Sequence, residues 1–337
     1  MENAPEISVI VTCYDRHEFL LSALLSVSRQ DFPRERYEVI VVKNYEDHEI
    51  DSFSASQGYI SIITETDSQG GLASVGVKAS RGRVLTFLDD DDQFQEAKLS
   101  TVARYFSDDS VIFYHNSHSL IDESGESGTG YKLKPPAKPI VVTITGSLDF
   151  RRVLRENRLY HLGTLYFNLS SISVLRDVAV ENALLLSKMK SRPDDFIFFA
   201  SLRYPGKTLV MGHEELTRYR EHTSASNPQR TSDMLINLKK RHIMGSEIIA
   251  EMLAGSPFEF LARSQLIIAR TDLFRLNHDL KGYLGSAIPY FRSQRMSNFP
   301  AMYIATSYLL GFFEAGRNPI FRRLRSVFLS MVGDIRS

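Results

Sequence analysis

The chain has 337 residues, of which 43% are hydrophobic and 24% charged, and its formal net charge is zero. This is the composition of a globular protein, long enough for one large domain with an appendage or for two domains. It excludes a largely disordered chain and gives no reason to expect nucleic acid as the main partner. The single cysteine, Cys13, excludes an internal disulfide and a zinc site built from cysteines.

The charge is unevenly distributed. From residue 228 onward there are 15 Lys or Arg against 8 Asp or Glu, and such a basic region can face phosphates, anionic lipid or water. The N-terminal residues lack the basic start and apolar core of a signal peptide. The longest apolar stretch, Ala301–Phe313, is shorter than the about 20 residues that span a bilayer. We therefore expect a cytoplasmic protein, at most peripheral at the inner face of the membrane.

Strand-like and helix-like segments alternate through the first hundred residues. Short apolar runs predict buried strands, and apolar residues at helical spacing predict the helices between them. The predicted strands are Ile7–Thr12, Tyr37–Val42, Tyr59–Thr64 and Val84–Leu88, and the predicted helices are Phe19–Val27, Gly71–Ser80 and Glu96–Phe106. Asp15 and Glu18 resemble a capping box ahead of the first helix. The alternation predicts a doubly wound sheet with right-handed crossovers.

The later part of the chain alternates less regularly. Further predicted strands are Val111–His115, Leu165–Asn168, Leu209–Met211 and Leu216–Arg220, with a helix at Asp194–Leu202 and a Gly-, Ser- and Pro-rich loop at 122–139. From about Thr231 onward, apolar residues recur at helical spacing. They do so in Met234–Leu253, Phe258–Leu280, Ala301–Phe313 and Ile320–Val332. This pattern predicts an all-helical C-terminal appendage.

Four consecutive aspartates, Asp89–Asp92, follow the predicted strand Val84–Leu88. Open α/β sheets bind ligands at the carboxyl ends of their strands. In an extended backbone, residues i and i+2 point the same way, so Asp89 and Asp91 are expected to face one ligand. Neighbouring carboxylates repel unless a cation intervenes, and Mg²⁺ or Mn²⁺ prefers carboxylate oxygens and can bridge them to a diphosphate. The alternative is a solvated acidic turn that caps the next helix.

Six segments carry motifs in a defined order: the first strand and turn Ile7–Arg16, the helix stretch Leu21–Phe32, the second strand Glu38–Val42, the segment Gly82–Asp92, the acidic helix start Arg192–Phe199, and Leu216–Ser226. In this order the motifs resemble those of the family 2 nucleotide-sugar glycosyltransferases. The resemblance covers about residues 6–227. It implies the GT-A fold, a Rossmann-like mixed sheet flanked by helices. The family's DxD motif falls on Asp89–Asp91.

The resemblance also implies a reaction and a set of site residues. The reaction is inverting transfer of a sugar from a nucleoside-diphosphate sugar to an acceptor hydroxyl, in polysaccharide or glycan biosynthesis, with Mn²⁺ or Mg²⁺. Asp195 is the implied general base, and Asp91 and His222 are the implied metal ligands. The implied nucleotide-sugar-binding residues are Thr12, Tyr14, Arg16, Asn44, Asp89 and Asp90. We expect a glycosyltransferase domain at 1–227 and a helical region at 228–337.

The sequence departs from the family pattern at the end of the second strand. Lys43 and Asn44 stand where the family usually has acids, and Ser74 and Val75 stand where it often has Arg-Asn. These changes keep open a non-catalytic relative that binds a nucleotide sugar or a carbohydrate. A sugar-phosphate nucleotidyltransferase is disfavoured, because the turn Thr12–Arg16 lacks glycine. The expected acceptor is a glycan or a lipid-linked acceptor. The C-terminal helices are expected to contact a membrane surface, form a homodimer, or pack as a subdomain.

Overall fold

The computed structural model describes residues 4–128, 135–146, 165–221 and 232–277, with isolated positions at 153, 156–157, 279, 282 and 285. Contacts divide the chain into two compact units. The first comprises residues 1–229 and 247–259, and the second comprises 230–246 and 260–337. The expected domain boundary between residues 227 and 228 stays a prediction.

Within the described residues, the first unit has nine strands. They are β1 (Ile7–Cys13), β2 (Tyr37–Lys43), β3 (Ile60–Ile63), β4 (Val84–Asp89), β5 (Gln93–Phe94), β6 (Val111–Ile121), β7 (Ile140–Thr143), β8 (Ile172–Leu175) and β9 (Thr208–Arg220). Its helices are α1 (Leu20–Ser28), α2 (His48–Ser56), α3 (Gln69–Ala79), α4 (Lys98–Phe106), α5 (Arg176–Glu181), α6 (Ala183–Leu186) and α7 (Pro193–Ser201). Two 3₁₀ turns lie at Arg34–Arg36 and Leu169–Ser171.

All nine strands form one mixed sheet in the order β3-β2-β1-β4-β8-β6-β9-β5, with β7 paired to β9. The first four strands in that order are parallel to one another. The direction changes at β8, which is antiparallel to both of its neighbours, β4 and β6. The carboxyl ends of β1, β2 and β4 therefore meet at one edge of the sheet, beside the point where the topology changes.

The centre of the sheet is buried on both faces. Every residue of β1 and β2 is buried, as expected for parallel strands covered by helices on each side. Helix α3 lies close to β1 at Gly76, where an added Cβ would come within 2.3 Å of the Ile10 side chain. The hydroxyl of Ser68 accepts a hydrogen bond from the Gly71 N–H at 3.1 Å and caps this helix.

Several predicted elements were wrong in detail. Leu165–Asn168 is not a strand, because Asn168 has a φ of 61° and begins the 3₁₀ turn Leu169–Ser171. Helix α1 begins without a side-chain cap, so the predicted capping box is absent. Strand β3 is a partly exposed edge strand rather than a buried one. The two strands predicted between 209 and 220 are one strand, β9. Helix α2, which was not predicted, begins after Asp47, whose side chain caps it.

Beyond the sheet, the structure describes two helices, α8 (Ser232–Met252) and α9 (Glu259–Leu276). In the second unit, an ion pair joins Lys239 to Asp272. The helical character predicted from residue 231 is confirmed over these ranges, whereas the predicted helices Ala301–Phe313 and Ile320–Val332 lie outside the described residues. No helix among the described residues is both long and apolar enough to cross a bilayer.

Candidate functional site

The acidic run lies where the parallel strands end. Strand register pairs Thr12 with Asp89 on one side and with Val42 on the other. The Thr12 hydroxyl donates a hydrogen bond to the Asp89 carboxylate at 3.3 Å. Two residues predicted to bind the nucleotide sugar are thus in contact at the carboxyl edge of the sheet, where doubly wound sheets bind ligands.

The four aspartates form a turn and not an extended segment. Strand β4 ends at Asp89, and the Asp92 N–H donates to the Asp89 carbonyl at 3.2 Å. Asp90 and Asp92 are buried, at 5% and 1% exposure, whereas Asp89 and Asp91 keep partial access to solvent. The extended-backbone argument for pairing Asp89 with Asp91 was therefore wrong, although these two carboxylates are the more accessible pair.

Negative charge is crowded at this turn. Burial, followed by the charges of Asp91, Asp90 and Asp194, raises the pKa of Asp89 well above its usual value. Burial and the neighbouring carboxylates likewise raise the pKa of Asp92. Crowded carboxylates whose charged forms are disfavoured gain from a nearby cation.

This set of oxygen ligands suits a hard divalent cation such as Mg²⁺ or Mn²⁺. The crowding of these carboxylates supports the same conclusion. Within the described ranges, no three His, Cys, Asp or Glu side chains form a ready-made cage for a metal. His222, the other expected ligand, lies outside the described residues. The fit therefore rests on the chemistry and charge of the acidic turn.

The loop after β1 brings a cation to the acidic run. Arg16 forms an ion pair with Asp91, and its Nη1 lies 3.5 Å from the Asp90 carboxylate. Asp90 also accepts a hydrogen bond from the Cys13 thiol at 3.0 Å. Burial, then the charge of Asp90, raises the pKa of Cys13, so this thiol stays protonated and donates. Arg16 and Asp90, two predicted donor-binding residues, are therefore brought together with Asp91.

The end of β2 explains the departure from the family pattern. Lys43 is fully buried and donates to the Asp51 carboxylate at 3.0 Å and to the Tyr45 carbonyl at 2.8 Å. Its role here is to fix the loop between β2 and α2. The Asn44 side chain forms two hydrogen bonds with Asp15 in the loop after β1. Tyr14, at 42% exposure, presents an open aromatic face at the same edge.

Arg220, at the end of β9, braces the acidic turn from behind. Its backbone N–H donates to the Asp92 carboxylate at 2.9 Å, and its side-chain Nε donates to the Asp91 carbonyl at 2.8 Å. Its Nη1 donates to the carbonyls of Asp122 and Glu123. The side chain is 2% exposed, so it supports the turn's backbone from within the protein.

A buried polar cluster around Ser170, which was not predicted from the sequence, supports Asp89. The Ser170 hydroxyl accepts from the Asp89 N–H at 3.0 Å. The Ser170 carbonyl accepts from the Thr217 hydroxyl at 3.0 Å and from the Lys98 ammonium at 3.4 Å. Lys98 also donates to Asn116, is fully buried, and has its pKa lowered by burial to about 7. No local motif marks these residues, since long-range packing alone brings them together.

The predicted base lies at the start of α7, after an irregular turn. Arg192 has a φ of 56°, and Pro193 opens the helix. Asp195 is 4% exposed and pairs with the Arg192 guanidinium at 2.7 Å. Burial, opposed by Arg192 and reinforced by Asp194, raises the pKa of Asp195 to about 8. The charge of Asp194 is among the causes of the raised pKa of Asp89, so the carboxyl groups of Asp194 and Asp89 interact electrostatically.

Solved structures share this fold at low sequence identity. Staphylococcus aureus TarS 1–349 superimposes with a TM-score of 0.56 at 14% identity, covering 93% of this chain and 81% of that one. The mannosyltransferase PcManGT from Pyrobaculum calidifontis, in complex with GDP-Man and Mn²⁺, superimposes with a TM-score of 0.52 at 14% identity, covering 96% and 84%. The fold is therefore of the GT-A type, which confirms the predicted fold class.

The family model described as glycosyl transferase family 2 matches residues 8–168. The match covers just under half of the chain and, over these residues, confirms the family identified from the motifs.

The similar proteins found by sequence are named glycosyltransferases. An uncharacterized glycosyltransferase of Rickettsia bellii is 27% identical over 217 residues, covering 59% of this chain and 31% of that protein. Glycosyltransferase AglE of Haloferax volcanii is 32% identical over 166 residues, covering 45% and 55%. Poly(ribitol-phosphate) beta-N-acetylglucosaminyltransferase TarS of Staphylococcus aureus is 25% identical over 223 residues, covering 56% and 38%. The chain spans about a third to about half of the length of these relatives.

Proposed function

We propose that this protein transfers a sugar, with inversion, from a nucleoside-diphosphate sugar to an acceptor hydroxyl. The observation that carries the proposal is the placement of two groups of acids. The acidic turn lies at the carboxyl edge of the sheet, and the acids of α7 lie close enough for Asp194 to act on Asp89. A donor held at the first group would place its reacting carbon near the second. The family match over residues 8–168 supports the same class of reaction.

The donor site proposed at this edge uses Thr12, Tyr14, Arg16, Asn44, Asp89 and Asp90. Tyr14 is exposed and can stack on a nucleobase, as aromatic side chains do. Arg16 offers a planar guanidinium, which suits the oxygens of a diphosphate. Relatives in the fold comparison are described in complex with UDP, UDP-GlcNAc and GDP-Man, and such ligands guide the choice of donors to test.

Asp91 and His222 are the residues proposed to hold a divalent metal, Mn²⁺ or Mg²⁺. When bound, such an ion stabilises negative charge on a departing diphosphate. The chain's own contribution at this point is electrostatic. The turn concentrates carboxylates at one edge, and Arg220 and Ser170 hold the backbone that carries them.

Asp195 is the proposed general base, which takes the proton from the acceptor hydroxyl. A base is most effective when its pKa lies near the working pH, and burial raises the pKa of Asp195 to about 8. Arg192, paired at 2.7 Å, holds the carboxylate in place. Asp194 is the nearest competitor for the role because of its effect on Asp89.

The test of the base compares two neighbouring substitutions. Asp195→Asn is expected to keep nucleotide affinity within about threefold and to lower transfer by about 10²–10⁴-fold, the usual contribution of a general base. Asp194→Asn is the matched control, measured for both quantities on the same donor. Near-normal transfer by Asp195→Asn would overturn the assignment, and a large loss in Asp194→Asn alone would move the role to Asp194.

The alternative is a non-catalytic protein that binds a nucleotide sugar or a carbohydrate. It is favoured by Lys43, which stands where the family usually has an acid and is bonded to Asp51. Titration of UDP and GDP with and without Mn²⁺, alongside a turnover assay, separates the two. Binding of a nucleotide without turnover of any donor and acceptor pair would support the alternative.

The acceptor proposed is a glycan or a lipid-linked acceptor, in polysaccharide or glycan biosynthesis. One relative, TarS, is named for a poly(ribitol-phosphate) acceptor, which directs the acceptor screen towards anionic polymers. The basic region from residue 228 is proposed to contact a membrane surface at its cytoplasmic face or a second copy of the chain. Sedimentation with anionic vesicles, compared with a chain ending near Asn298, tests the membrane contact.

A further inference from the structure

Arg16 lies among the carboxylates proposed to bind a metal. Its guanidinium pairs with Asp91 and lies 3.5 Å from Asp90. The Arg16 side chain is 32% exposed and the Asp91 side chain 14% exposed, so the pair is partly open to solvent. An arginine of the chain thus already neutralises part of the charge that a divalent ion would neutralise.

The loop after β1 holds the backbone at Arg16 firmly. Asp15 has a φ of 50°, a value that non-glycine residues adopt only occasionally. Asn44 stabilises it by accepting from the Asp15 N–H at 2.9 Å and donating to the Asp15 carboxylate at 2.8 Å. The Arg16 carbonyl accepts from the Tyr45 hydroxyl at 2.7 Å. These three bonds fix the point from which the long arginine side chain extends.

We propose that Arg16 is a resident counter-cation of the acidic turn, which a divalent metal ion displaces from Asp91 when the nucleotide binds. The inference rests on the proposed function in one respect, that a metal and a diphosphate share this site. The oxygens of Asp91 cannot serve a guanidinium and a metal equally well, so the two cations compete for one carboxylate. The displaced guanidinium remains tethered beside the donor site, where the diphosphate supplies new acceptor oxygens.

The competition makes metal and nucleotide binding cooperative. Without a nucleotide, Arg16 opposes the metal at Asp91. When a diphosphate is present, Arg16 gains a second partner and the metal loses its competitor. Each ligand therefore raises the affinity for the other by the same factor, as linkage between two binding equilibria requires.

Mn²⁺ titration of the full chain, followed by electron paramagnetic resonance at one fixed pH without nucleotide, tests the competition. Arg16→Gln is expected to bind Mn²⁺ roughly fivefold more tightly than wild type, the scale of a partly exposed ion pair. Arg218→Gln is the control for net charge, because its guanidinium bonds to Gln93 and to the Gly125 carbonyl. It is expected to stay within about twofold of wild type. Circular dichroism verifies that each variant is folded.

If Arg16→Gln does not fold, Arg16→Lys keeps the charge without the planar fork and is expected to bind Mn²⁺ about twofold more tightly than wild type. The second measurement repeats the titration with saturating UDP or GDP. The gain in Mn²⁺ affinity is expected to be larger in wild type than in the Arg16 variant.

Equal or weaker Mn²⁺ binding by Arg16→Gln, or the same tightening in Arg218→Gln, would overturn the inference. Absence of Mn²⁺ binding in all of these proteins would overturn it as well. The titration involves no sugar transfer, so it can succeed while the proposed catalytic function fails, and the two failures are distinguishable.

Discussion

Lys98 provides a stability prediction whose size follows from its burial. The ammonium is fully buried against Asn116 and the Ser170 carbonyl, and its pKa falls from 10.5 to about 7. Its pKa is therefore lower in the folded than in the unfolded chain, so the unfolded chain binds more protons between these two values. Stability must then rise with pH above 7, by up to about 1.4 kcal/mol per pH unit. Because the folded amine is only half deprotonated at pH 7, the gain from pH 7 to pH 9 is about 2 kcal/mol.

Lys98→Met removes this titration. We expect the free energy of unfolding, from urea titration followed by circular dichroism, to gain about 2 kcal/mol less between pH 7 and pH 9 in the variant than in wild type. The difference between the two pH values matters here, because the lost hydrogen bonds to Asn116 and Ser170 affect both alike. Lys78→Met, on the exposed face of α3, is the matched control and should follow wild type. An identical pH dependence for Lys98→Met and wild type would rule out a folded-state pKa near 7 for Lys98.

Two further substitutions test the supports of the site. His115 is buried with its Nε2 2.9 Å from the Phe167 carbonyl, and burial lowers its pKa to about 3, so the protein loses stability as pH falls below about 6.5. In urea titrations between pH 7 and pH 5, the free energy of unfolding of His115→Gln should fall by about 2 kcal/mol less than that of wild type. The exposed His213→Gln is the control, and an unchanged pH dependence in His115→Gln would contradict this. Asn44→Ala removes both hydrogen bonds to Asp15 and should lower the free energy of unfolding by about 1–2 kcal/mol. It should also weaken nucleotide binding in calorimetry, and an unaltered nucleotide affinity would show that the loop after β1 does not shape the donor site.

The part of the fold that the sequence predicted well is the part with strong local signals. β1, β2 and β4 are continuous apolar, β-branched runs, and their parallel pairing places Asp89 at the carboxyl edge as expected. Weaker signals misled. Leu165–Asn168 has the composition of a strand, but Asn168 turns the chain with a positive φ, and the strand that pairs with β4 is the next segment, β8.

The candidate site residues could be named from the sequence, but the contacts between them could not. The sequence identified the acidic run, Arg16 and Asp195, yet the ion pair between Arg16 and Asp91 joins residues 75 positions apart. No local pattern encodes it. Lys98 illustrates the same limit. A lysine early in a helix is usually exposed, and this one is buried by packing against Asn116 of β6 and Ser170 of the 3₁₀ turn.

The proposed function requires the acidic turn to bind a nucleotide sugar together with a divalent metal. The most direct test is hydrolysis of a panel of UDP- and GDP-sugars by wild type and Asp91→Asn, each with Mn²⁺ and with a chelator. We expect wild type to hydrolyse at least one donor faster with Mn²⁺ than with the chelator, and Asp91→Asn to lose this stimulation. A donor turned over equally well by both proteins, with or without Mn²⁺, would contradict it.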